Sequence, residues 1–137
     1  MRHDDCIFCK IANGEIPSAT IYEDDDFRAF LDLNPATRGH ALLVPKDHFA
    51  NLLELDEEHA EKAILLAKKI GSRMKEKLGC DGLNLVQNNG EAAGQTVFHF
   101  HMHLIPRYKD DHAGILWEPG KTTPEEMEEI KKLVNED

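Results

Sequence analysis

Three histidines alternate with apolar side chains in the segment His99, Phe100, His101, Met102, His103. A two-residue repeat is typical of a β-strand, in which successive side chains point to opposite faces. In a helix the middle histidine would point away from the other two. The segment therefore predicts a strand with three imidazoles on one face and apolar side chains on the other.

A long amphipathic helix is predicted in the middle of the chain. Between Ala60 and Leu78 the apolar residues recur at steps of three and four, as they do on the buried face of a helix. Asp56 is a suitable N-cap, and Gly79 is a suitable residue to end the helix.

Shorter elements are predicted on both sides of this helix. The predicted strands are 20–23, 27–31, 41–44, 83–87 and 97–107, and the predicted short helices are 7–13 and one that begins at Thr123-Pro124. Asp24-Asp25-Asp26 and Asn89-Gly90 are predicted turns between strands. This order predicts an α+β fold with a mostly antiparallel five-stranded sheet, one long helix and short N- and C-terminal helices.

The composition restricts the classes of partner. A chain of 137 residues with a formal charge of −10 suits one domain over residues 1–137, and its field repels nucleic acid and anionic membranes. We find no basic patch, since the lysines cluster only at Lys68, Lys69, Lys75 and Lys77 on a helix face. No run approaches the roughly 18 apolar residues of a membrane span. We expect neither a nucleic-acid partner nor a membrane.

The cysteines favour a reducing compartment. Cys6, Cys9 and Cys80 are an odd number, which suits a disulfide framework poorly, and no apolar signal sequence is present. We therefore expect a cytoplasmic protein with Cys80 as a buried thiol. In such a compartment the Cys6-x-x-Cys9 spacing indicates half a zinc site or a redox pair.

The histidine segment itself leaves two functional possibilities open. Imidazole is the commonest metal ligand, and it is also a nucleophile near neutral pH. A solvent-facing strand rich in histidine is a third and less favoured interpretation, because histidine is not a preferred residue of surface strands.

Several motifs resemble landmarks of the histidine triad (HIT) family of nucleotide hydrolases and transferases, in its bacterial zinc-binding form. The matching segments are 7–11, 15–17, 30–32, 39–46 and 94–105. The resemblance covers about residues 6–107, and the tail 108–137 matches weakly. It implies a HIT-like fold for the whole chain as a single domain.

The resemblance implies a covalent mechanism. His101 would attack the α-phosphate of a purine nucleoside phosphoramidate or dinucleoside polyphosphate, form a nucleotidyl-histidine and release a nucleoside monophosphate after hydrolysis. His99 and His103, together with the backbone, would hold the tautomer and donate hydrogen bonds to phosphoryl oxygens. Thr96 would contact the α-phosphate or the leaving group.

The resemblance also implies the residues that bind the nucleotide. Asp32 would accept hydrogen bonds from the ribose, Asn88 would contact ribose or phosphate, and His40 would lie near the triad. Gly94 and Gln95 lie in a turn whose backbone N–H groups can approach an anion. The walls of the base pocket would be Ile7, Phe8, Ile16 and Leu33. Core packing and ordinary turn formation are the competing explanations for these residues.

A structural zinc site is implied at Cys6, Cys9, His48 and His99. Such a site is closed and has no open coordination position for chemistry. The alternatives are packed thiols without metal, or a different ligand such as His3.

The resemblance further implies a homodimer formed through the long helix and a neighbouring strand. Trp117 would reach the active site of the partner subunit, although a lone tryptophan also packs in ordinary cores. His59 and His112 are assigned to the surface. Two other functions remain open: a nucleotide-binding regulatory module without significant turnover, and a metal-dependent phosphohydrolase with the histidines as ligands. The absence of a carboxylate in the histidine segment weighs against the latter.

Overall fold

The computed structural model describes residues 2–136. Its five strands form one antiparallel sheet in the order β1-β2-β3-β5-β4. The strands are β1 Thr20–Glu23, β2 Phe27–Leu31, β3 Ala41–Pro45, β4 Gly82–Val86 and β5 Met102–Arg107. The α+β fold with a five-stranded sheet is confirmed, as are the pairings of β1 with β2 and of β4 with β5.

The described residues contain three α-helices, and the long and C-terminal helices have the N-caps that the sequence predicts. They are α1 Ile7–Ala12, α2 Glu57–Leu78 and α3 Pro124–Asn135. Asp56 accepts a hydrogen bond from the backbone N–H of His59, and Thr123 caps α3 in the same way. Gly79 ends α2 in the left-handed conformation with φ of 67°, which glycine adopts without steric cost. None of the helices in the described residues is long and apolar enough to cross a membrane.

The two faces of the sheet carry separate apolar clusters. Phe27, Leu43, Phe100 and Leu104 pack with the buried residues of α2 on one face. On the other face α1 packs against Phe30 and neighbouring residues. The sheet thus separates α2 from the face on which α1 and the histidines meet.

The strand predicted over 97–107 is shorter in the structure, because β5 begins only at Met102. The backbone N–H of Phe100 donates to the carbonyl of Phe49, and the carbonyl of Val97 accepts from the Gln95 side chain. These partners belong to loops, so residues 97–101 form no sheet ladder. The alternation still holds, since Phe100 is buried on the α2 face and His99 and His101 contact Phe8 of α1.

The assignment of His59 to the surface was wrong. Its side chain is only 15% exposed and its ring lies 5.7 Å from that of Phe27 and 4.9 Å from that of Phe49. His59 lies in the first turn of α2, and its ring is directed inward, next to the loop that carries Phe49. Cys80 is buried and His112 is exposed, as predicted.

Candidate active site and metal cluster

A cavity of about 510 Å³ lies on the α1 face of the sheet. It brings together most of the residues predicted to bind a nucleotide. Those that line it are Ile7, Phe8, Ile16, Asp32, Leu33, Thr96, His101 and His103. Apart from Asp32 and the two histidines, the lining is apolar or neutral. A cavity of this size with few polar groups suits a small organic ligand.

His101 is held in one tautomer by the backbone. Its Nδ1 lies 2.7 Å from the carbonyl oxygen of His99, and a carbonyl only accepts, so Nδ1 carries the proton. The lone pair of the neutral ring is therefore on Nε2. The ring packs edge-on against Phe8 at 4.9 Å between centroids, which fixes its plane.

His103 is held in the opposite tautomer through His40. The backbone N–H of Ala36 donates to Nδ1 of His40 at 2.9 Å, so the proton of neutral His40 is on Nε2. This Nε2 donates to Nδ1 of His103, also at 2.9 Å. His103 consequently carries its proton on Nε2, and it can donate a hydrogen bond where His101 offers a lone pair.

The histidines of the cavity are neutral because they are buried. Burial lowers the pKa of His101 below its ordinary value, although the carbonyl of His99 and the charge of Asp32 oppose this. Burial, followed by the neighbouring rings of His101 and His40, lowers the pKa of His103 to about 4. Burial also lowers the pKa of His40. Neutral imidazole is the nucleophilic form.

Beside the cavity, four side chains bring possible metal ligands together. The ligand atoms of Cys6, Cys9, His48 and His99 all lie within 4.8 Å of one another. Nδ1 of His99 lies 3.3 Å from Sγ of Cys6 and 3.4 Å from Sγ of Cys9. Nδ1 of His48 lies 3.4 Å from Sγ of Cys9. The structure therefore assembles the four residues predicted for a metal site.

These distances fit a tetrahedral ion. In a tetrahedral site with zinc–sulfur bonds of about 2.3 Å and zinc–nitrogen bonds of about 2.0 Å, the sulfur and nitrogen atoms lie roughly 3.5 Å apart. Nε2 of His99 donates to the carbonyl of Pro45 at 2.8 Å, which leaves Nδ1 free to bind a cation and orients the ring. Burial, together with Cys6, raises the pKa of the Cys9 thiol, so a bound cation would be needed to stabilise the thiolate.

His3 is not one of the four donors. Its ring stacks on His48 at 3.8 Å between centroids, and its backbone N–H donates to Sγ of Cys9 at 3.2 Å. It therefore covers the cluster from outside. This geometry favours His48 over His3 as the fourth ligand.

A second group of possible ligands, Asp32, His40 and His103, lies in the active site. Oδ2 of Asp32 is 3.6 Å from Nε2 of His40. A metal bound to this Nε2 would need its lone pair. Because Nδ1 of His40 accepts from the N–H of Ala36, the proton of the neutral ring is on Nε2, which then has no free lone pair. The chemistry of this donor set therefore suits hydrogen bonding better than coordination.

Four predicted nucleotide contacts do not line the cavity: His40, Asn88, Gly94 and Gln95. The backbone N–H groups of Gly94 and Gln95 donate to loop carbonyls. The buried side chain of Gln95 accepts from the N–H of Gly90 and donates to the carbonyls of Ala50 and Val97. In this conformation Gln95 supports the loop that carries Thr96.

Sequence reasoning missed two groups that fix tautomers, the N–H of Ala36 and the carbonyl of Pro45. Both are backbone atoms, so side-chain patterns gave no signal for them. It also missed Ser18 and Asn34, which line the cavity. Asn34 follows Asp32 in the same turn, where its N–H donates to Oδ1 of Asp32 at 2.8 Å.

Comparisons with known proteins identify the family of this chain. Residues 13–110 match the HIT domain family. The protein named Protein hit from Bacillus subtilis is 43% identical over 134 residues, which cover 96% of this chain and 92% of that protein. The chain belongs to the HIT family. Its α+β fold is shared with solved HIT proteins.

Other HIT proteins extend the comparison. The adenosine 5'-monophosphoramidase hnt1 of Schizosaccharomyces pombe is 38% identical, with 95% of this chain and 96% of that protein covered. The crystal structure of a HIT family protein from Bacillus anthracis is 42% identical with a TM-score of 0.87, covering 96% and 95% of the two chains. A zinc-bound histidine triad family protein from Mycobacterium smegmatis is 38% identical with a TM-score of 0.77, covering 85% and 84%.

Proposed function

We propose that this HIT protein is a nucleotide hydrolase that acts through a covalent nucleotidyl-histidine on His101. Nε2 of His101 forms a bond to the α-phosphorus while the bond from phosphorus to the leaving group breaks. Water then attacks the same phosphorus, the bond to Nε2 breaks, and a nucleoside monophosphate leaves. The leaving group takes up one proton from solvent and the attacking water returns one, so the protons balance.

The observation that carries this proposal is the pair of opposite tautomers in one cavity. His101 has a lone pair on Nε2, since its Nδ1 is hydrogen-bonded to the carbonyl of His99. His103 has a proton on Nε2, since its Nδ1 accepts from His40. One ring thus supplies a nucleophile, and its neighbour, 5.1 Å away between centroids, supplies a hydrogen bond for a phosphoryl oxygen. Thr96 lines the same cavity and would add a second donor.

The remaining lining supports binding of a nucleoside. Asp32 presents a carboxylate for the ribose hydroxyls, and its side chain is 20% exposed. Ile7, Phe8 and Ile16 offer an apolar surface for a base. The name of the hnt1 relative, an adenosine 5'-monophosphoramidase, supports adenosine as the nucleoside.

The charges of the cavity favour a phosphoramidate over a dinucleoside polyphosphate. Among the described residues that line it, none is a lysine or an arginine, and the one carboxylate is Asp32. A polyphosphate chain carries several negative charges that would need cations in the site. A single phosphate with an amine as leaving group needs fewer, so we infer a nucleoside phosphoramidate as substrate.

The test compares adenosine 5'-phosphoramidate with diadenosine triphosphate as substrates. We expect AMP release from the phosphoramidate with the higher kcat/KM. His101→Ala should lower kcat by roughly a thousandfold or more, since removal of a nucleophile abolishes the covalent route. His112→Ala is the matched control, because His112 is exposed and outside the cavity. No AMP release by the native protein would contradict the hydrolase and favour a binding module.

For the metal cluster we propose structural zinc. Cys6 and Cys9 with His48 and His99 would hold it, and bound zinc would neutralise the thiolates and tie the N-terminal segment to the histidine segment. The donor distances given above support this set, as does the zinc-bound Mycobacterium smegmatis relative. Because His99 would be a ligand, it would not act as a proton carrier.

A metal-dependent phosphohydrolase is the second candidate. The grouping of Asp32, His40 and His103 is the observation behind it, and the hydrogen bond from Ala36 to His40 is the observation against it. Treatment with a chelator separates the two candidates. If the covalent route is correct, folded protein that has lost metal from the active site keeps its turnover, and an acid-labile nucleotidyl adduct forms on His101. If activity disappears in folded protein that still holds one zinc in the cysteine–histidine cluster, and returns with added metal, the second candidate is correct.

We also propose a homodimer through α2 and β4. Strand β4 is an edge of the sheet, so its outer backbone groups have no strand partner within the described chain. Leu83 and Leu85 on this strand are 37% and 44% exposed, and Ile64 and Leu65 of α2 are 53% and 66% exposed. A second copy would cover these residues. Trp117 is 85% exposed, and we keep its contact with the partner's active site as a proposal.

A further inference from the structure

A second and larger cavity lies on the α2 face of the sheet. This groove has a volume of about 700 Å³ and runs between α2 and the strands β1 and β2. Its apolar lining consists of Ile21, Tyr22, Leu31, Ile70, Met74 and Leu78. Ile21 and Leu31 are 45% and 38% exposed, so the groove presents apolar surface that nothing in the described chain covers.

Four cations surround this apolar surface: Arg38, Lys69, Arg73 and Lys77. No aspartate or glutamate is among the described residues that line the groove, although the chain as a whole has a charge of −10. The prediction that the chain has no basic patch was therefore wrong. Three of the cations follow one another at steps of four on α2, and the fold adds the fourth from the loop between β2 and β3.

Helix α3 has an exposed apolar face and acidic side chains, which together match the apolar lining and the cations of this groove. None of its residues is buried, and Met127, Ile130, Leu133 and Val134 are between 50% and 76% exposed. Their spacing places them on one face of the helix. Glu126 lies within this face near one side, Glu129 borders it on that side, and Lys131 borders the other side.

We propose that the groove beside α2 binds helix α3 of a second copy of this chain. The apolar face of α3 would cover Ile70 and Met74, and its glutamates would lie along Lys69 and Arg73. The lengths are similar: the 12 residues of α3 span about 18 Å, and the residues of α2 from Lys69 to Leu78 span about 15 Å. Burial of apolar area stabilises such a contact, and the charges select its orientation.

The course of the tail favours a second copy over the same chain. The Arg107 guanidinium donates to the side chains of Asn84 and Asp111 and to the carbonyl of Ala113. These bonds hold the start of the tail beside β4, at one edge of the sheet. The groove lies beside β1, at the opposite edge. Tyr108, however, donates to the carbonyl of Arg38, which lines one end of the groove. The tail therefore begins beside its own groove and turns away from it toward β4.

Charge reversal on each surface tests the proposal, which does not depend on the hydrolase activity. The groove variant is Lys69→Glu/Arg73→Glu and the helix variant is Glu126→Lys/Glu129→Lys. The readout is hydrogen–deuterium exchange of the α3 amides at high protein concentration, with circular dichroism to verify folding. The matched control is Glu125→Lys/Glu128→Lys, which makes the same charge change one residue away, off the apolar face.

In the native protein we expect α3 amides to exchange at least tenfold more slowly than in either variant, and we expect dilution to speed their exchange. A one-to-one mixture of the two variants should restore the protection. In such a mixed dimer each helix meets a groove of opposite charge only if it docks on the other subunit. The control variant should behave like the native protein.

Three outcomes would overturn the proposal. Native α3 amides that exchange as fast as those of an isolated helix would show that nothing covers the helix. Protection that survives groove reversal would place α3 elsewhere. Protection that returns in one chain carrying all four reversals, but not in the mixture, would assign α3 to the groove of its own chain.

Discussion

Single residues differ in this site because different groups hold one nitrogen of each imidazole ring. A carbonyl holds Nδ1 of His101, a carbonyl holds Nε2 of His99, and His40 holds Nδ1 of His103. The three rings belong to one sequence pattern, but the nitrogen that remains free differs between them. In His99 and His101 it carries a lone pair, and in His103 it carries a proton. Their chemistry therefore follows from hydrogen-bond partners rather than from residue type.

Asp24 shows the same dependence on partners in the turn between β1 and β2. Its Oδ1 accepts from the N–H groups of Asp26 and Phe27, and its Oδ2 accepts from the Tyr22 hydroxyl, each at 2.8 Å. Burial raises the pKa of Asp24, but these hydrogen bonds and Lys62 outweigh it and lower the pKa to about 2. The ionised carboxylate therefore stabilises the folded state.

We predict that Asp24→Asn lowers the free energy of unfolding at pH 7 by about 2 kcal/mol. Because the folded pKa is lowered, this stabilisation is present above the unfolded pKa of about 3.9 and is lost as the pH falls toward 2. Urea unfolding at pH 7 and at pH 2 measures it. The difference between the variant and the native protein should shrink at the lower pH. Asp25→Asn, at the exposed neighbour, should change little, and an equal loss there would contradict the assignment.

At the scale of secondary-structure elements, α1 is joined to the histidine segment by few but specific contacts. It has only six residues, too few for a stable isolated helix. Cys6 caps it, Cys9 lies in its first turn, and both sulfurs contact His99. Ile7 and Phe8, between the two cysteines, form a wall of the cavity. The cluster therefore positions part of the proposed base pocket.

We predict that Cys9→Ser abolishes stoichiometric zinc binding and lowers the melting temperature by about 5 °C or more. The reason is that loss of one ligand releases α1 from the histidine segment. Zinc content by atomic spectroscopy and thermal unfolding by circular dichroism are the two measurements. Cys80→Ala is the control, since Cys80 is a buried thiol outside the cluster. A variant that retains one zinc per chain would show that the cluster is not the site.

At the scale of the whole molecule, the two faces of the sheet and its β4 edge present different surfaces. The α1 face holds the proposed active site, the α2 face holds the basic groove, and the β4 edge presents exposed leucines. This separation would leave the cavity free of the proposed contacts through β4 and the basic groove.

We predict that Leu85→Lys shifts the protein toward monomer in sedimentation velocity experiments. A charge at this position would be desolvated in a dimer through β4, and leaving such a charge unpaired is costly. Leu53→Lys is the matched control, because Leu53 is 83% exposed and lies in the loop before α2. Equal masses for native protein and Leu85→Lys at every concentration would mean that β4 is not the interface.

Much of the fold followed from local patterns. The two-residue alternation around His101 placed the histidines and the core residues on opposite faces, and the spacing between Ala60 and Leu78 gave α2 with its caps. These patterns are reliable because strand and helix geometry repeat along the chain. The end of β5 was less predictable, because the bonds of Phe100 and Val97 go to loops that no periodic pattern marks.

The sequence by itself determined that three histidines share one face and that a long helix follows the first three strands. It also determined that two cysteines have the spacing of a pair of metal ligands. Only the tertiary structure decided what each histidine does. His99 meets cysteines some ninety positions away in the chain, His103 meets His40, and the N–H of Ala36 sets the tautomer of both. It also decided that His59 is buried and that Arg38 joins a row of cations on α2. Such contacts join distant positions, and only folding makes them neighbours.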